Sequence, residues 1–341
     1  MSSITSMTLR PLGASGLMVT PVGLGMAALG RPGYMTLGHS DDLDGDYTVS
    51  AMETHAHTVL DAAWAAGVRY FDAARSYGRA EAFLGSWLEV RKSALASASS
   101  NVTIGSKWGY TYTAGWQVQA AEHEVKDLSL PVLERQWNET QALLPGCVDL
   151  YQIHSATRES GVLEDVAVLR KLARLKEAGT QVGLTLSGPD QAATLARALE
   201  VFIDGLPLFT VVQATWNVLE RSAGDALAAA HAAGLGVIVK EAVANGRLTP
   251  RNDNPAFAHT MAVLVHQATR LHCTVDALAL AAVLAQPWAD VVLSGAATAE
   301  QVRSNVKALD VAWDEESDTA LASLAEPADA YWKTRARLQW N

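Results

Sequence analysis

Asp72 and Tyr77 share the stretch Arg69-Tyr70-Phe71-Asp72-Ala73-Ala74-Arg75-Ser76-Tyr77-Gly78, where a short apolar run ends in a carboxylate and a phenol follows in a loop closed by glycine. Lys107 ends Thr103-Ile104-Gly105-Ser106-Lys107, and His154 follows Val148-Asp149-Leu150-Tyr151-Gln152-Ile153. Carboxylate, phenol, ammonium and imidazole are side chains that hold or pass a proton in catalysis. If each run is a strand of a parallel α/β sheet, all four groups stand at carboxyl ends, the edge on which such folds build active sites. Taken singly, each has a duller explanation. A Tyr after a strand packs, a Lys–Asp pair is structural, and a lone His beside a sheet is a boundary residue. Together, at the ends of three consecutive strands, they point to one site.

The elements that must position them recur along the chain. Strands are expected over residues 22–24, 68–72, 102–107, 148–153, 181–186, 210–214, 236–240 and 290–293, and a helical pattern follows each. The helices are expected over 53–66, 80–90, 130–144, 162–178, 190–206, 221–233, segments of 257–285, and 299–309. Near-continuous apolar strands separated by helices indicate a parallel sheet covered on both faces, and eight such units close into a (β/α)8 TIM barrel. An open doubly wound sheet is the competing α/β architecture. Its Gly-x-Gly-x-x-Gly turn is missing after the first strand, where Gly23-Leu24-Gly25 alone is a weak signal. Turn residues Gly13 and Ser15-Gly16 within 7–19 predict a short N-terminal β-hairpin. Residues 29–50 form a long polar connection rising from the active face as a possible lid, and 310–341 is a C-terminal segment on the same single barrel domain, 1–341.

Composition narrows the partners. A formal charge of −10 argues against a nucleic-acid or anionic-membrane partner, which needs a basic face. No apolar run reaches the roughly 18 residues of a spanning helix, and the start Met1-Ser2-Ser3-Ile4-Thr5-Ser6 lacks a signal peptide's basic and apolar regions. The protein reads as cytoplasmic. Cys147 and Cys273 stand far apart and suggest buried small groups rather than a disulfide or a zinc site. His55-Ala56-His57 falls within a helix, where the two rings point about 200° apart and do not chelate one ion. Asp42-Leu43-Asp44-Gly45-Asp46 lacks the downstream Glu and flanking helices of a calcium loop and reads as a solvated loop. No metal site is expected.

The motifs Phe71-Asp72-Ala73-Ala74, Tyr77-Gly78, Glu81, Leu84-Gly85, Gly105-Ser106-Lys107 and Asp149-Leu150-Tyr151-Gln152-Ile153-His154 resemble the aldo-keto reductase family. The likeness runs from Leu9 to about Leu309. It implies a (β/α)8 barrel, a nicotinamide cofactor and a catalytic tetrad of Asp72, Tyr77, Lys107 and His154. Reduction of a carbonyl by hydride leaves an alkoxide that must receive a proton, and Tyr77 is the candidate acid. A free phenol has a pKa of about 10. An adjacent Lys107 ammonium is expected to lower it, Asp72 to hold Lys107 charged, and His154 to hydrogen-bond the carbonyl oxygen.

The resemblance also implies cofactor positions: Gly25 and Met26 after the first strand, Asp72, and Ser187 as a partner of the nicotinamide carboxamide. Gly188 replaces the family's usual Asn there, and Gln213 is the second carboxamide partner. Trp216 stands where an aromatic stacks on the ring, followed by Asn217 and Leu219. Lys240 leads into a loop over the pyrophosphate, and Gly295, Thr298, Gln301 and Asn305 form the adenosine segment at a helix N-terminus. Family members that prefer NADP carry a Lys or Arg early in that segment to meet the 2′-phosphate, and here Gly295 and Ala297 occupy those positions. The absence favours NAD, or dual use of NAD and NADP, with Arg247, Arg251 or Arg303 as alternative cations. Trp108, Tyr77 and His154 are the expected substrate contacts, and the tail 331–340 either borders the pocket or packs on the barrel. The implied activity is NAD(P)-dependent interconversion of an aldehyde, ketone or sugar lactol with its alcohol or lactone. Two competing readings remain. One is a nicotinamide-nucleotide-binding regulatory or sensor subunit, against which an intact tetrad argues. The other, a metal-dependent barrel hydrolase, rests only on scattered histidines.

Overall fold

The strand-forming runs are short and apolar on both sides, so each must be covered by side chains within the barrel and by helices outside it. The computed structural model describes residues 7–43, 45–95 and 102–341. The barrel strands are β1 Val22–Gly25, β2 Tyr70–Asp72, β3 Thr103–Trp108, β4 Leu150–Ala156, β5 Gln181–Leu186, β6 Val211–Thr215, β7 Gly236–Lys240 and β8 Val291–Ser294. All pair in parallel, and β8 returns to β1 to close the ring. The outer layer comprises α1 Val49–Ala65, α2 Ala80–Leu95, α3 Leu130–Leu143, α4 Val166–Glu177, α5 Gln191–Leu199, α6 Gly224–Ala232, α7 Val275–Leu284 and α8 Ala299–Val306, with an extra helix, Ala258–Arg270, before α7. No helix among the described residues is long and apolar enough to cross a membrane.

Strand alternation divides the interior into two layers. At the amino end Tyr70, Leu150, Val211, Ile238 and Val291 pack together with Leu12 and Val19. Leu12 and Val19 come from the N-terminal hairpin, Arg10–Pro11 paired antiparallel with Met18–Val19, which plugs this mouth of the barrel. Two residues further along the strands, the inward positions turn polar: Asp72, Lys107, Gln152 and Gln213 are all buried there. Large apolar side chains such as Phe71, Trp87, Trp108 and Tyr151 fill the space between strands and helices.

The eight-stranded barrel and its hairpin are what the sequence predicts. The expected helix over 190–206 stops at Leu199, and Phe202–Ile203 pairs with Leu206–Pro207 instead. Asp204 and Gly205 turn that hairpin with φ of 50° and 80°, the two-residue turn that Asp-Gly favours. A second hairpin, Tyr110–Tyr112 with Glu124–Lys126, occupies the connection between β3 and α3, where no element is expected from sequence. It stands over the carboxyl mouth. The C-terminal segment adds helices Glu315–Ala322 and Ala328–Arg335, whose Tyr331 and Trp332 pack on Val218, Leu219, Leu248 and Phe257.

Candidate active site

Alternation along β2, β3 and β6 sends Asp72, Lys107 and Gln213 to the same interior point. Asp72 is 1 % exposed and receives Tyr70 OH at 3.0 Å, Gln213 Nε2 at 3.1 Å and Gln152 Nε2 at 3.3 Å on Oδ1. Lys107 Nζ pairs with Oδ2 and donates to the Ala73 carbonyl at 2.9 Å. The carboxylate is therefore ion-paired, removed from solvent and surrounded by donors, which is how a buried ion pair is tolerated. Gln152 and Tyr70 were not singled out from sequence. The available signal was their shared inward register with His154 and Asp72.

Tyr77 reaches the pair from the loop after β2. A Cβ at Gly30 would lie 2.1 Å from the Tyr77 carbonyl oxygen, and one at Gly78, at φ +60°, would lie 2.3 Å from the Gly30 carbonyl oxygen, so glycine at both positions lets the two loops touch. The Tyr77 ring lies edge-on to His154, centroids 5.5 Å apart, with Lys107 Nζ 4.8 Å and the Arg31 guanidinium 5.3 Å from its centroid. His154 projects from a bulge in β4, where the pairing slips between Ile153 and Ala156 and Ser155 adopts φ 54°.

The electrostatics differ from the expectation in one respect. Burial, and after it the Asp72 carboxylate, push the Tyr77 phenol above its ordinary value, while Arg31 pulls the other way. The lowering expected of Lys107 is outweighed by burial and by Asp72, with which its ammonium is paired over the ring. Tyr77 is thus a neutral phenol with its proton in place. Burial and the charges of Lys107 and Lys240 hold His154 well below the ordinary imidazole range, so it is a neutral ring able to donate one hydrogen bond.

Tyr77, His154, Ser187, Gln213 and Lys240 line one cavity of about 430 Å³. The connection after β1 contributes Arg31, Tyr34, Met35 and Thr36 to its wall, and the C-terminal segment contributes Arg335 and Trp340. Both stretches border the cavity. Trp340 stacks on His123 at 3.8 Å, and the chain end is tied to the first loop through Tyr34 and Asn341, which exchange backbone hydrogen bonds. Glu241, in the left-handed region at φ 58°, is gripped by Arg335 at 2.5–2.9 Å. Burial acts to raise this carboxyl, but Arg335 and Lys240 overcome it and bring it down to about 2. Burial brings Lys240 down to about 8 despite Glu241.

A second cleft of about 280 Å³ shares Ala28, Thr36, Val243, Leu293 and Gly295 with the first, so the two form one groove. Gln301 and Asn305 line it. Of the cofactor positions expected from sequence, Gly25, Asp72, Ser187, Gln213, Lys240, Gly295, Gln301 and Asn305 border this groove. The residues fit a nicotinamide nucleotide: Ser187 has no hydrogen-bond partner among the described residues, nor has the Gln213 Oε1, and both face the cavity at the tetrad.

Other expected positions lie elsewhere. Trp108 and Trp216 follow inward-facing residues, so both point outward into the helix layer; they are 0 % and 3 % exposed, and Trp216 packs edge-on to Trp288. Met26 is fully buried in the core, its N–H bonded to the Asp72 carbonyl. Asn217 spends its side chain on the Glu241 carbonyl, Tyr331 OH and the N–H groups of Leu219 and Glu220, and Leu219 packs under the C-terminal helices. Thr298 caps α8 by accepting from Gln301 N–H. Gly188, at φ +92°, forms a turn outside the cavity wall. Arg247 pairs with Glu326, Arg303 is exposed, and only Arg251 of the three candidate cations lines the groove. His55 and His57 bond different neighbours, Ala297 and Phe83 with Ser86. Asp42 is half-buried rather than fully solvated, its carboxylate turned into the second cleft and paired with Arg251, while Asp44 lies outside the described residues.

His39, also unremarked in the sequence, is fully buried in that cleft with neither ring nitrogen bonded. Burial brings it down to about 4, against the pull of Asp42. The unfolded chain, with an ordinary value near 6.5, takes up the proton first. Stability is therefore expected to be complete above about pH 6.5 and to fall toward pH 4 by up to about 3 kcal/mol from this ring. Urea denaturation at pH 7 and 4.5 checks it, since His39→Gln should show a shallower decline than the parent.

The model of the aldo/keto reductase family matches residues 22–326. Pyridoxal 4-dehydrogenase of Microbacterium luteolum is 27 % identical over 333 residues, covering 87 % of this chain and 91 % of that protein. Aldo-keto reductase str7 of Strobilurus tenacellus is 25 % identical, covering 96 % and 95 %. The solved structure of aldo-keto reductase AKR11C1 from Bacillus halodurans superposes with a TM-score of 0.71 at 22 % identity, covering 94 % of this chain and 97 % of that one, a likeness of fold. The chain belongs to the aldo/keto reductase family, whose members oxidise and reduce carbonyl compounds with a nicotinamide cofactor.

Proposed function

We propose that the protein interconverts a small aldehyde, ketone or sugar lactol with its alcohol or lactone, with Tyr77 passing the proton. The observation that carries this is the Tyr77 phenol edge-on to the His154 imidazole on one cavity wall, with the Lys107–Asp72 pair behind them. Ser187 and Gln213 would hold the nicotinamide, which would supply or accept the hydride. His154 donates a hydrogen bond to the carbonyl oxygen and orients it toward Tyr77. Tyr77 gives that oxygen its proton as negative charge develops, and Lys107, fixed by Asp72, stabilises the phenolate left behind. In the oxidative direction the same groups act in reverse.

The cavity suits a polar substrate with a flat or sugar-like face, since Tyr34, Tyr110 and Trp340 line it together with Glu124, Glu241 and Arg335. The Microbacterium relative is named for pyridoxal, so pyridoxal joins 4-nitrobenzaldehyde and an aldose as test compounds. Turnover of at least one of the three with NADH or NADPH is the expected result. Binding of nucleotide with no turnover of any carbonyl would leave only the sensor reading.

A further inference from the structure

The second cleft is charged in a way the family resemblance does not explain. Asp42, from the connection after β1, and Asp276, at the start of α7, both line it, and Arg251 is the one lysine or arginine among the residues that do. Arg251 is already engaged: Nη1 and Nη2 hold the two Asp42 oxygens at 2.8 and 2.5 Å, and Nη1 also donates to the Gly38 carbonyl at 2.9 Å. Gln301 Nε2 adds a third donor to Asp42 at 3.0 Å. A carboxylate has about four acceptor positions, so about one remains.

His39 supplies an independent sign of a ligand. Its two ring nitrogens are buried beside Asp42 without a partner, a cost a protein rarely leaves uncompensated. A neutral imidazole offers one donor and one acceptor, which suits hydroxyls or a heterocycle and not a phosphate dianion.

We propose that Asp42 is the residue that selects NAD over NADP, accepting a hydrogen bond from the 2′-hydroxyl of the adenosine ribose and repelling a 2′-phosphate. The assignment rests on the nicotinamide reading above, because a nucleotide with its reactive ring at Tyr77 would extend along the groove into this cleft. A 2′-phosphate there meets two carboxylates and a guanidinium whose fork is filled. A ribose diol meets an acceptor with one position open. This division, an acidic side chain for the 2′-hydroxyl and a free arginine for the 2′-phosphate, is the one dinucleotide sites use in other folds.

Quenching of tryptophan fluorescence by NADH and NADPH tests it, with 5′-AMP and 2′,5′-ADP as competitors that report on the cleft alone. The parent is expected to bind NADH and 5′-AMP at least tenfold more tightly than the 2′-phosphorylated partner of each pair. Asp42→Asn should reduce that preference at least tenfold, chiefly by tighter NADPH binding, because Arg251 is released to meet the phosphate. Asp42→Ser should behave likewise, and Arg251→Gln should retain the preference for NADH. Equal binding of NADH and NADPH by the parent, or an unchanged ratio in both Asp42 variants, overturns the assignment and leaves the proposed activity standing. If neither nucleotide binds, the proposed activity falls with it.

Discussion

Tyr77→Phe is expected to lower kcat for carbonyl reduction by about 10²–10⁴-fold, the usual worth of a positioned proton donor. The hydroxyl has no hydrogen-bond partner among the described residues, so its removal breaks nothing that holds the fold. Stability should remain within about 0.5 kcal/mol of the parent. The ring keeps its edge-on contact with His154 and its place over Lys107, and the nucleotide groove is untouched. Coenzyme affinity is therefore expected to be unchanged while turnover collapses. Steady-state kinetics beside fluorescence titration checks both halves. A variant that loses coenzyme binding and turnover together would mean that Tyr77 shapes the pocket without handling the proton.

Asp72→Asn is expected to cost about 3–5 kcal/mol of stability as well as activity, because removing one partner strands a buried charge. Lys107 is 1 % exposed and has only the Ala73 carbonyl besides Asp72, while Tyr70, Gln152 and Gln213 all direct donors at the same carboxylate. An amide in its place offers one acceptor oxygen and turns two N–H groups on an ammonium. The double variant Asp72→Asn, Lys107→Met removes the stranded charge and should recover 1 kcal/mol or more, a coupling of the size contacting residues show. It should recover no activity. Urea denaturation of the parent, both single variants and the double variant measures this. An Asp72→Asn protein as stable as the parent would mean that the pair is not the buried centre of the barrel.

The barrel was legible because its signals are local. Each strand is an apolar run ended by glycine or a charged group, and parallel strands buried on both faces repeat that pattern without alternation. Asp204-Gly205 signals the hairpin at 202–207, a signal hidden in the sequence by the helical spacing before it. The approach of Asp72, Lys107 and His154 to one another was readable because each stands toward the carboxyl end of one of three consecutive strands, with Tyr77 in the loop after the first of them. Trp108 and Trp216 were placed at the same strand ends but one residue out of phase, and a period of two sends them into the helix layer. Asn217 and Leu219 went the same way: the chain turns under the C-terminal helices, whose docking no local pattern records. What could not be read at all comes from loops. Arg31, His39, Asp42, Glu241 and Arg335 meet the groove only because separate connections and the C-terminal helix converge over the carboxyl mouth, and neither composition nor spacing encodes that convergence.

The most direct measurement is a single turnover. Protein loaded with NADH or NADPH is mixed with 4-nitrobenzaldehyde, and loss of reduced nicotinamide absorbance is followed in the parent and in Tyr77→Phe. Rapid oxidation of bound coenzyme by the parent and a rate at least a hundredfold lower in the variant are the expected outcome, in line with the lower bound for a lost proton donor. Equal rates in the two proteins would contradict proton transfer from Tyr77.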